Sequence, residues 1–126
     1  EIIQSEKTRR QLFLDMELFF KRHDFLICPS ASVTPFLVEN PYVKEIDGKK
    51  CETYIDWFSI TFAITMTACP TLSIPCGFTE AGLPVGIQIV ASPRNESSLL
   101  SFGAKLQQIF GVFKKIPITP RIHGKD

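Results

Sequence analysis

The chain has 126 residues, of which 44% are hydrophobic and 21% are charged, and its formal net charge is +1 at pH 7. This composition suits a buried core within one domain of roughly 100–150 residues, or within a piece of a larger one, and it excludes a disordered chain. The small net charge gives no electrostatic reason to expect a nucleic acid or an anionic membrane as partner.

The beginning of the chain and its longest uncharged stretch both bear on targeting. The first residue is Glu1, and no basic, apolar leader follows, so we expect no signal peptide and a start within a longer chain. Residues 57–79 carry no charge, but Pro70, Pro75 and Gly77 interrupt them. A buried helix followed by a buried strand fits these interruptions better than a membrane span.

The first half of the chain predicts a helix, a strand and an irregular segment. Apolar residues at helical spacing predict a helix over residues 5–23, with Ser5 as its N-cap. The short apolar run over residues 25–30 predicts a buried strand that Pro29 stops. Residues 31–53 form an irregular insertion, in which Asp47-Gly48 predicts a two-residue hairpin turn.

The second half predicts a helix, two strands and another helix. Residues 54–67 are apolar almost all round, which predicts a mostly buried helix. TLSIPCGF and PVGIQIVA predict neighbouring strands, joined by a connection short enough for an antiparallel pair. A helix capped by Asn95 follows and ends at Gly111. Its predicted inward face is Leu99, Phe102, Leu106 and Ile109.

Strands separated by helices predict an α/β fold, with a sheet flanked by helices. The visible helices of useful length hardly cover both faces of so apolar a sheet, so we expect part of a mixed β-sheet that continues in residues outside this chain. From Lys114 onward we expect a tail laid over a surface.

Four cysteines, Cys28, Cys51, Cys69 and Cys76, are scattered without a CxxC pair. Free thiols in a reducing compartment, the cytoplasm, are the prediction. His23 and His123 have no ligand-like spacing to these cysteines, so we expect no metal site.

The stretch TACPTLSIPCGFTEAGLPVGIQIVASPRNESSLLSFGAKLQ, residues 67–107, resembles the C-terminal block of the amidase signature family. The matching positions are Pro70, Pro75, Gly77, Gly82 to Gly86, Gln88, Leu99 and Leu100, and the run from Asp24 to Pro29 resembles an upstream strand of the same family. Two positions depart from the pattern, because Thr65 stands for the usual Asn and Ala68 for the usual Gly. The resemblance implies that residues 1–126 are the C-terminal part of a single amidase domain, with 31–53 as an insertion that the pattern does not cover.

The resemblance also implies the chemistry. Family members hydrolyse the C–N bond of an amide with a serine nucleophile, a second serine and a lysine, and without metal or organic cofactor. Those residues belong to a Gly/Ser-rich block that this chain lacks, and the pair Ser97-Ser98 sits at a predicted helix start. We therefore expect no catalytic residue here, and we expect as partners a small-molecule amide and the N-terminal remainder of the same domain, with homo-oligomerisation left open. The alternative is a non-catalytic relative or fragment that acts as a binding or structural module, which an upstream coding sequence without the lysine and the Gly/Ser block would favour.

A substrate-pocket wall is the one functional element that this segment can supply. The resemblance places pocket residues just before the turn at Pro70, which points to Trp57, Phe58, Thr61 and Thr65. Some relatives, the A subunits of amidotransferases, hold a substrate ammonium with an acidic residue near the position of Phe58, and here only Asp56 could replace it. The competing interpretation is that Trp57 and Phe58 are ordinary core aromatics.

Four positions of the matched block predict structural roles. Gly77 and Gly82 suit turns with positive φ, and Gly86 suits a close approach of backbone within a strand. The amide of Gln88, if buried, is expected to tie down loop backbone.

Overall fold

The computed structural model describes residues 1–114. The elements in chain order are helix α1 (Ile2–Phe20), strand β1 (Phe25–Pro29), strands β2 (Glu45–Ile46) and β3 (Lys49–Lys50), a 3-10 turn (Asp56–Phe58), helix α2 (Ser59–Met66), strands β4 (Thr71–Phe78) and β5 (Pro84–Ala91), helix α3 (Glu96–Phe110) and a second 3-10 turn (Val112–Lys114). The predicted tail beyond Lys114, which includes His123, lies outside the described residues.

The main sheet has three strands in the order β1-β5-β4, and both of its pairings are antiparallel. The predicted neighbours β4 and β5 do pair, with Ile74 opposite Ile87 and Leu72 opposite Ile89. A bulge between Pro75 and Gly77 shifts the register of β4 by one residue. The α/β fold class is confirmed as helices combined with an antiparallel sheet.

Helix α3 packs on one face of β4 and β5 and closes the core. Alternation along the strands points Ile74, Ile89 and Ala91 to that face, where they meet Leu99. Phe25 of β1 stacks on Phe102 of α3, with ring centroids 4.4 Å apart. The helix therefore covers all three strands with one apolar stripe.

The predicted hairpin is present in the insertion. Asp47 and Gly48 have φ of 49° and 73°, and strands β2 and β3 pair on either side of them. Two central residues with positive φ define a type I′ turn, for which Asp-Gly is a preferred sequence.

Several sequence-based predictions about the helices were wrong. Helix α1 begins at Ile2, so Ser5 is not its N-cap, and the Ser5 hydroxyl donates to the Glu1 carbonyl instead. Asn95 does occupy the N-cap position of α3, as predicted, although its side chain makes no capping hydrogen bond. In α3 the inward face holds Leu99, Phe102 and Leu106, but Ile109 is 74% exposed, and Phe110 takes its place against the core.

The apolar helix predicted over residues 54–67 is shorter and less covered than expected. It consists of the 3-10 turn and α2, neither of which contains a fully buried residue. Phe62 and Met66 are 37% and 41% exposed. Apolarity measures the tendency of a helix to be covered, but it does not say which part of a protein supplies the cover.

The backbone conformations of Gly77 and Gly82 differ. Gly82 has a positive φ of 80°, as predicted, whereas Gly77 does not have a positive φ and lies beside the bulge in β4.

No helix within residues 1–114 combines the length and the apolarity needed to cross a bilayer.

Candidate functional site

A cleft of about 210 Å³ opens where β1 ends and β5 begins. We call it the β1 cleft, and it is lined by residues 29–34 and 84–86. Strand β1 is an edge strand, where proline is tolerated, and it ends at Pro29. The hydroxyl-bearing residues Ser30, Ser32 and Thr34 follow and form part of the lining of the cleft.

Gly86 allows Ser30 and the backbone of Ile74 to approach β5 closely at the β1 cleft. The Ser30 amide donates to the Gly86 carbonyl at 3.1 Å. A Cβ atom at position 86 would lie 2.8 Å from Ser30 Oγ and 3.1 Å from the Ile74 carbonyl oxygen. Only glycine allows this approach, as the sequence predicted for Gly86.

The buried side-chain amide of Gln88 holds the end of β1 beside the cleft. Gln88 is 5% exposed, and its Nε2 donates to the Pro29 carbonyl at 3.1 Å. This is the predicted role, because the bond satisfies backbone at the point where the chain enters the loop. Burial raises the pKa of the Cys28 thiol, which lies opposite Gln88 in the sheet, and a hydrogen bond with Gln88 partly offsets that rise.

Helix α2 is joined to the β1 cleft through Thr61. Its Oγ1 donates to the Ser30 carbonyl at 3.4 Å. The Thr65 hydroxyl donates to the Thr61 carbonyl at 3.1 Å, which places Thr65 on the same helix face one turn further on. Both threonines are accessible at least in part. Among the predicted wall residues, Thr61 therefore makes a hydrogen bond to a residue of the cleft lining.

Trp57 and Phe58 lie in an aromatic cluster with Phe36, Tyr54 and Phe62. Edge-to-face contacts join Trp57 to Phe36, Tyr54 and Phe58 at centroid distances of 5.5 to 6.1 Å. Phe58 also meets Phe62 at 6.2 Å. The Trp57 Nε1 atom is covered, yet it has no hydrogen-bond partner among residues 1–114. Both rings are half-buried, between a core position and a surface position.

Asp56 supports a turn. Its Oδ2 accepts from the Thr53 amide at 2.8 Å, and this hydrogen bond lowers the pKa of the carboxyl group. An acidic residue three positions after the start of a helical turn commonly binds back in this way. Its carboxylate is already engaged locally.

The remaining candidates lie away from the cleft. Ser97 and Ser98 occupy the first turn of α3, as predicted. His23 stacks on Phe19 at 4.4 Å. Within residues 1–114 no group of three or more His, Cys, Asp or Glu side chains is placed to hold a metal ion.

The hydroxyls of Ser30, Ser32 and Thr34 were not identified from the sequence. Three hydroxyl-bearing residues in PSASVT, directly after a buried strand stopped by proline, are the signal that could have identified them. Loop residues at a strand end often carry binding groups, because the sheet holds them while water can reach them.

Comparison with known proteins assigns the family. The family model described as Amidase matches residues 2–100, a range that includes the irregular segment 31–53. The chain belongs to the amidase family, and the antiparallel sheet packed by α3 is part of an amidase-signature fold.

Individual relatives agree with this assignment. The A subunit of a glutamyl-tRNA(Gln) amidotransferase from Alkaliphilus metalliredigens is 31% identical over 99 residues, which cover 78% of this chain and 19% of that protein. A solved structure from a vestigial complex related to the origins of an s-triazine catabolic enzyme has a TM-score of 0.76 at 25% identity, covering 86% of this chain and 24% of that one. A 6-aminohexanoate cyclic dimer hydrolase with bound substrate has a TM-score of 0.64 at 25% identity, covering 81% and 23%. The chain spans about a fifth of the length of the curated relative and about a quarter of each solved structure.

Proposed function

We propose that this chain is the C-terminal part of a single amidase-signature domain that hydrolyses the C–N bond of a small or medium-sized uncharged amide. The N-terminal remainder of that domain would supply the serine nucleophile, the second serine and the lysine, and no metal or organic cofactor would take part. The observation that carries the proposal is the match of residues 2–100 to the Amidase family model, which supports the reaction class. The hydrogen bond from Thr61 to the Ser30 carbonyl joins α2 to the β1 cleft and supports a pocket role for this segment.

The α2 wall suits an uncharged group. We define this wall as Trp57, Phe58, Thr61 and Thr65, which together offer two aromatic rings, two hydroxyls and no charge. Asp56, the nearest carboxylate in sequence, is engaged by the Thr53 amide. An uncharged acyl or aryl group would therefore find apolar contact and hydrogen-bonding partners, whereas an ammonium group would find no carboxylate among the four wall residues.

The aromatic residue Phe58 distinguishes this chain from the amidotransferase interpretation. The relative from A. metalliredigens belongs to an amidotransferase, and an acidic residue is expected near this position in such proteins. A phenylalanine cannot balance the charge of a substrate ammonium. This supports hydrolysis of a simple amide over transfer of an amide nitrogen from an amino acid.

The test is a Trp57→Ala substitution in the complete gene product. The variant should change the relative kcat/KM for amides of different acyl size by about 1–3 kcal/mol, the value of one lost apolar contact. Reaction of the catalytic serine with a small, unselective acylating probe should persist. The matched control is Phe102→Leu. This substitution alters the aromatic ring by which α3 stacks on Phe25 of β1, and it should leave the ratios of kcat/KM between substrates unchanged.

Two outcomes would contradict the proposal. If Trp57→Ala lowers all substrates and the probe equally, Trp57 is a core residue and the wall is misassigned. If the complete gene product hydrolyses no amide and lacks an upstream lysine and Gly/Ser block, the non-catalytic alternative replaces the enzyme.

We also propose a cytoplasmic location, supported by the four free cysteines. Cys28 on β1 and Cys76 on β4 lie on either side of β5, at least two strand spacings apart, or roughly 10 Å. This exceeds the separation of about 7 Å that a disulfide tolerates. Thiol titration under denaturing, non-reducing conditions should find four free thiols, and finding two would contradict the location.

A further inference from the structure

The residues that line the β1 cleft share an absence of charge. The lining consists of Pro29, Ser30, Ala31, Ser32, Val33, Thr34, Pro84, Val85 and Gly86. A carboxylate or an ammonium group placed there would lose water without gaining an opposite charge, which is costly. An uncharged polar group would find hydroxyls on one side and apolar surface on the other.

The size of the cleft limits what can enter. Its volume of about 210 Å³ corresponds to roughly seven water molecules at about 30 Å³ each. Pockets that hold a whole drug-sized ligand are larger, at about 300–1,000 Å³. The concave part of the cleft therefore matches the size of one functional group with its immediate substituents, and a larger ligand would extend beyond it.

Ser30 is held in place by contacts that leave its hydroxyl for another role. Its amide donates to the Gly86 carbonyl, and its carbonyl accepts from Thr61 Oγ1. Its side chain lies directly over Gly86, since a Cβ at that position would approach Ser30 Oγ to 2.8 Å. The backbone of Ser30 thus serves the fold, while its half-buried side chain borders the cleft.

We propose that the β1 cleft is a subsite for an uncharged carboxamide group, and that Ser30 and Thr34 are its binding residues. The inference deepens the proposed amide hydrolysis and rests on it for the identity of the ligand as substrate. A carboxamide has one acceptor oxygen and an NH₂ donor, so hydroxyls can both donate to it and accept from it. Thr61 then sets the distance between this subsite and the α2 wall, because it contacts Ser30 directly.

Binding of radiolabelled benzamide tests the subsite by equilibrium dialysis on the complete gene product with its catalytic serine replaced by alanine, so that the amide is bound without being hydrolysed. Ser30→Ala and Thr34→Val each remove one hydroxyl, and each should weaken binding about tenfold, the value of one hydrogen bond of about 1.4 kcal/mol. Thr34→Ser keeps a hydroxyl and should restore binding. Ser98→Ala makes the same chemical change on the exposed surface of α3 and should leave binding unaltered.

Kinetics provide a second measurement. For amides that the complete gene product hydrolyses, Ser30→Ala and Thr34→Val should raise KM about tenfold, with kcat much less affected. Thr34 is exposed, so its variant is expected to fold even if Ser30→Ala does not.

The outcomes separate this inference from the proposed function. If amides are hydrolysed but neither variant changes benzamide binding or KM, the subsite is overturned while the enzyme stands. If no amide is hydrolysed but benzamide binding still depends on Ser30 and Thr34, the subsite stands and the proposed function is overturned. Absence of benzamide binding to the protein that lacks only its catalytic serine, with Ser30 and Thr34 unchanged, overturns the subsite.

Discussion

At the scale of single residues, a few side chains connect strand ends to loops. Gln88 is the clearest example, because its buried amide donates to the carbonyl of the last residue of β1. A buried amide is costly to place and is retained where it satisfies backbone that would otherwise lack a partner. Its loss should therefore be felt in stability.

We expect Gln88→Leu to lower the free energy of unfolding of the complete gene product by about 1–3 kcal/mol, because the Pro29 carbonyl loses its donor. Urea denaturation measures this. The matched control is Gln11→Leu, which removes an exposed amide that bonds Asp15 within α1 and should change stability by about 0.5 kcal/mol or less. If both substitutions change the free energy of unfolding by the same amount, the hydrogen bond of Gln88 contributes no more to stability than the exposed bond of Gln11.

Cys28 should show the pH dependence of a protected thiol. Burial raises its pKa, so the folded protein keeps the proton to higher pH than the unfolded chain does. The resulting contribution to stability is complete below the pKa of an ordinary thiol and is lost as the pH rises through the raised value. Alkylation of Cys28 by iodoacetamide, followed by mass spectrometry, should reach half its maximal rate at a higher pH than a cysteine in an unstructured peptide.

Gln88 provides a check on the cause of that shift. Its hydrogen bond lowers the Cys28 pKa, against the larger effect of burial. Gln88→Leu should therefore move the alkylation midpoint to still higher pH. A midpoint equal to that of the peptide would show that Cys28 is solvated.

At the scale of secondary structure, the sheet depends on close approach between β1, β5 and β4. Gly86 lies in the central strand, where the Ser30 side chain and the backbone of Ile74 leave no room for a methyl group. Gly77 lies in β4, where the nearest side-chain atom to an added Cβ is Val85 Cγ2 at an ordinary 4.0 Å. The same substitution at the two positions separates packing from backbone entropy.

Gly86→Ala should destabilise the protein by about 1–3 kcal/mol, the usual cost of overpacking. Gly77→Ala should be neutral or slightly stabilising, because alanine restricts the unfolded chain more than glycine does. Thermal denaturation of both variants of the complete gene product measures the difference. Equal losses at both positions would show that the approach at Gly86 is not the limiting contact.

At the scale of the whole molecule, much apolar surface remains uncovered within residues 1–114. Exposed large hydrophobics occur on α1, α2 and α3, among them Ile2, Leu18, Met66 and Leu100. Within the same residues, β1 and β4 each have one edge that pairs with no other strand. Such surfaces are typical of a segment that packs against a partner or against more of its own domain.

Residues 1–126 expressed alone should hydrolyse no amide and should associate. The first expectation follows from the proposal that the serine nucleophile and the lysine belong to the N-terminal remainder of the domain, since Ser97 and Ser98 stand at the start of a helix. The second follows from the open strand edges and the exposed apolar side chains. Size-exclusion chromatography with an amide assay against a buffer blank measures both, and a monomer with turnover would contradict both.

Local and tertiary determinants of this protein can be separated. The strands TLSIPCGF and PVGIQIVA, the Asp47-Gly48 turn and the end of α3 at Gly111 were predictable from the sequence, because alternation, turn residues and caps act within a few positions. So was Gly86, since a glycine inside a strand marks a close approach of backbone. The exposure of α2 was not, because it depends on which part of the protein supplies its cover. The start of α1 at Ile2 was not predicted either, and Ile2 is 81% exposed, so packing within residues 1–114 does not explain that start. The β1 cleft likewise required the tertiary structure, since residues 29–34 and 84–86 meet only when β1 pairs with β5, and Thr61 reaches Ser30 only when α2 docks beside them.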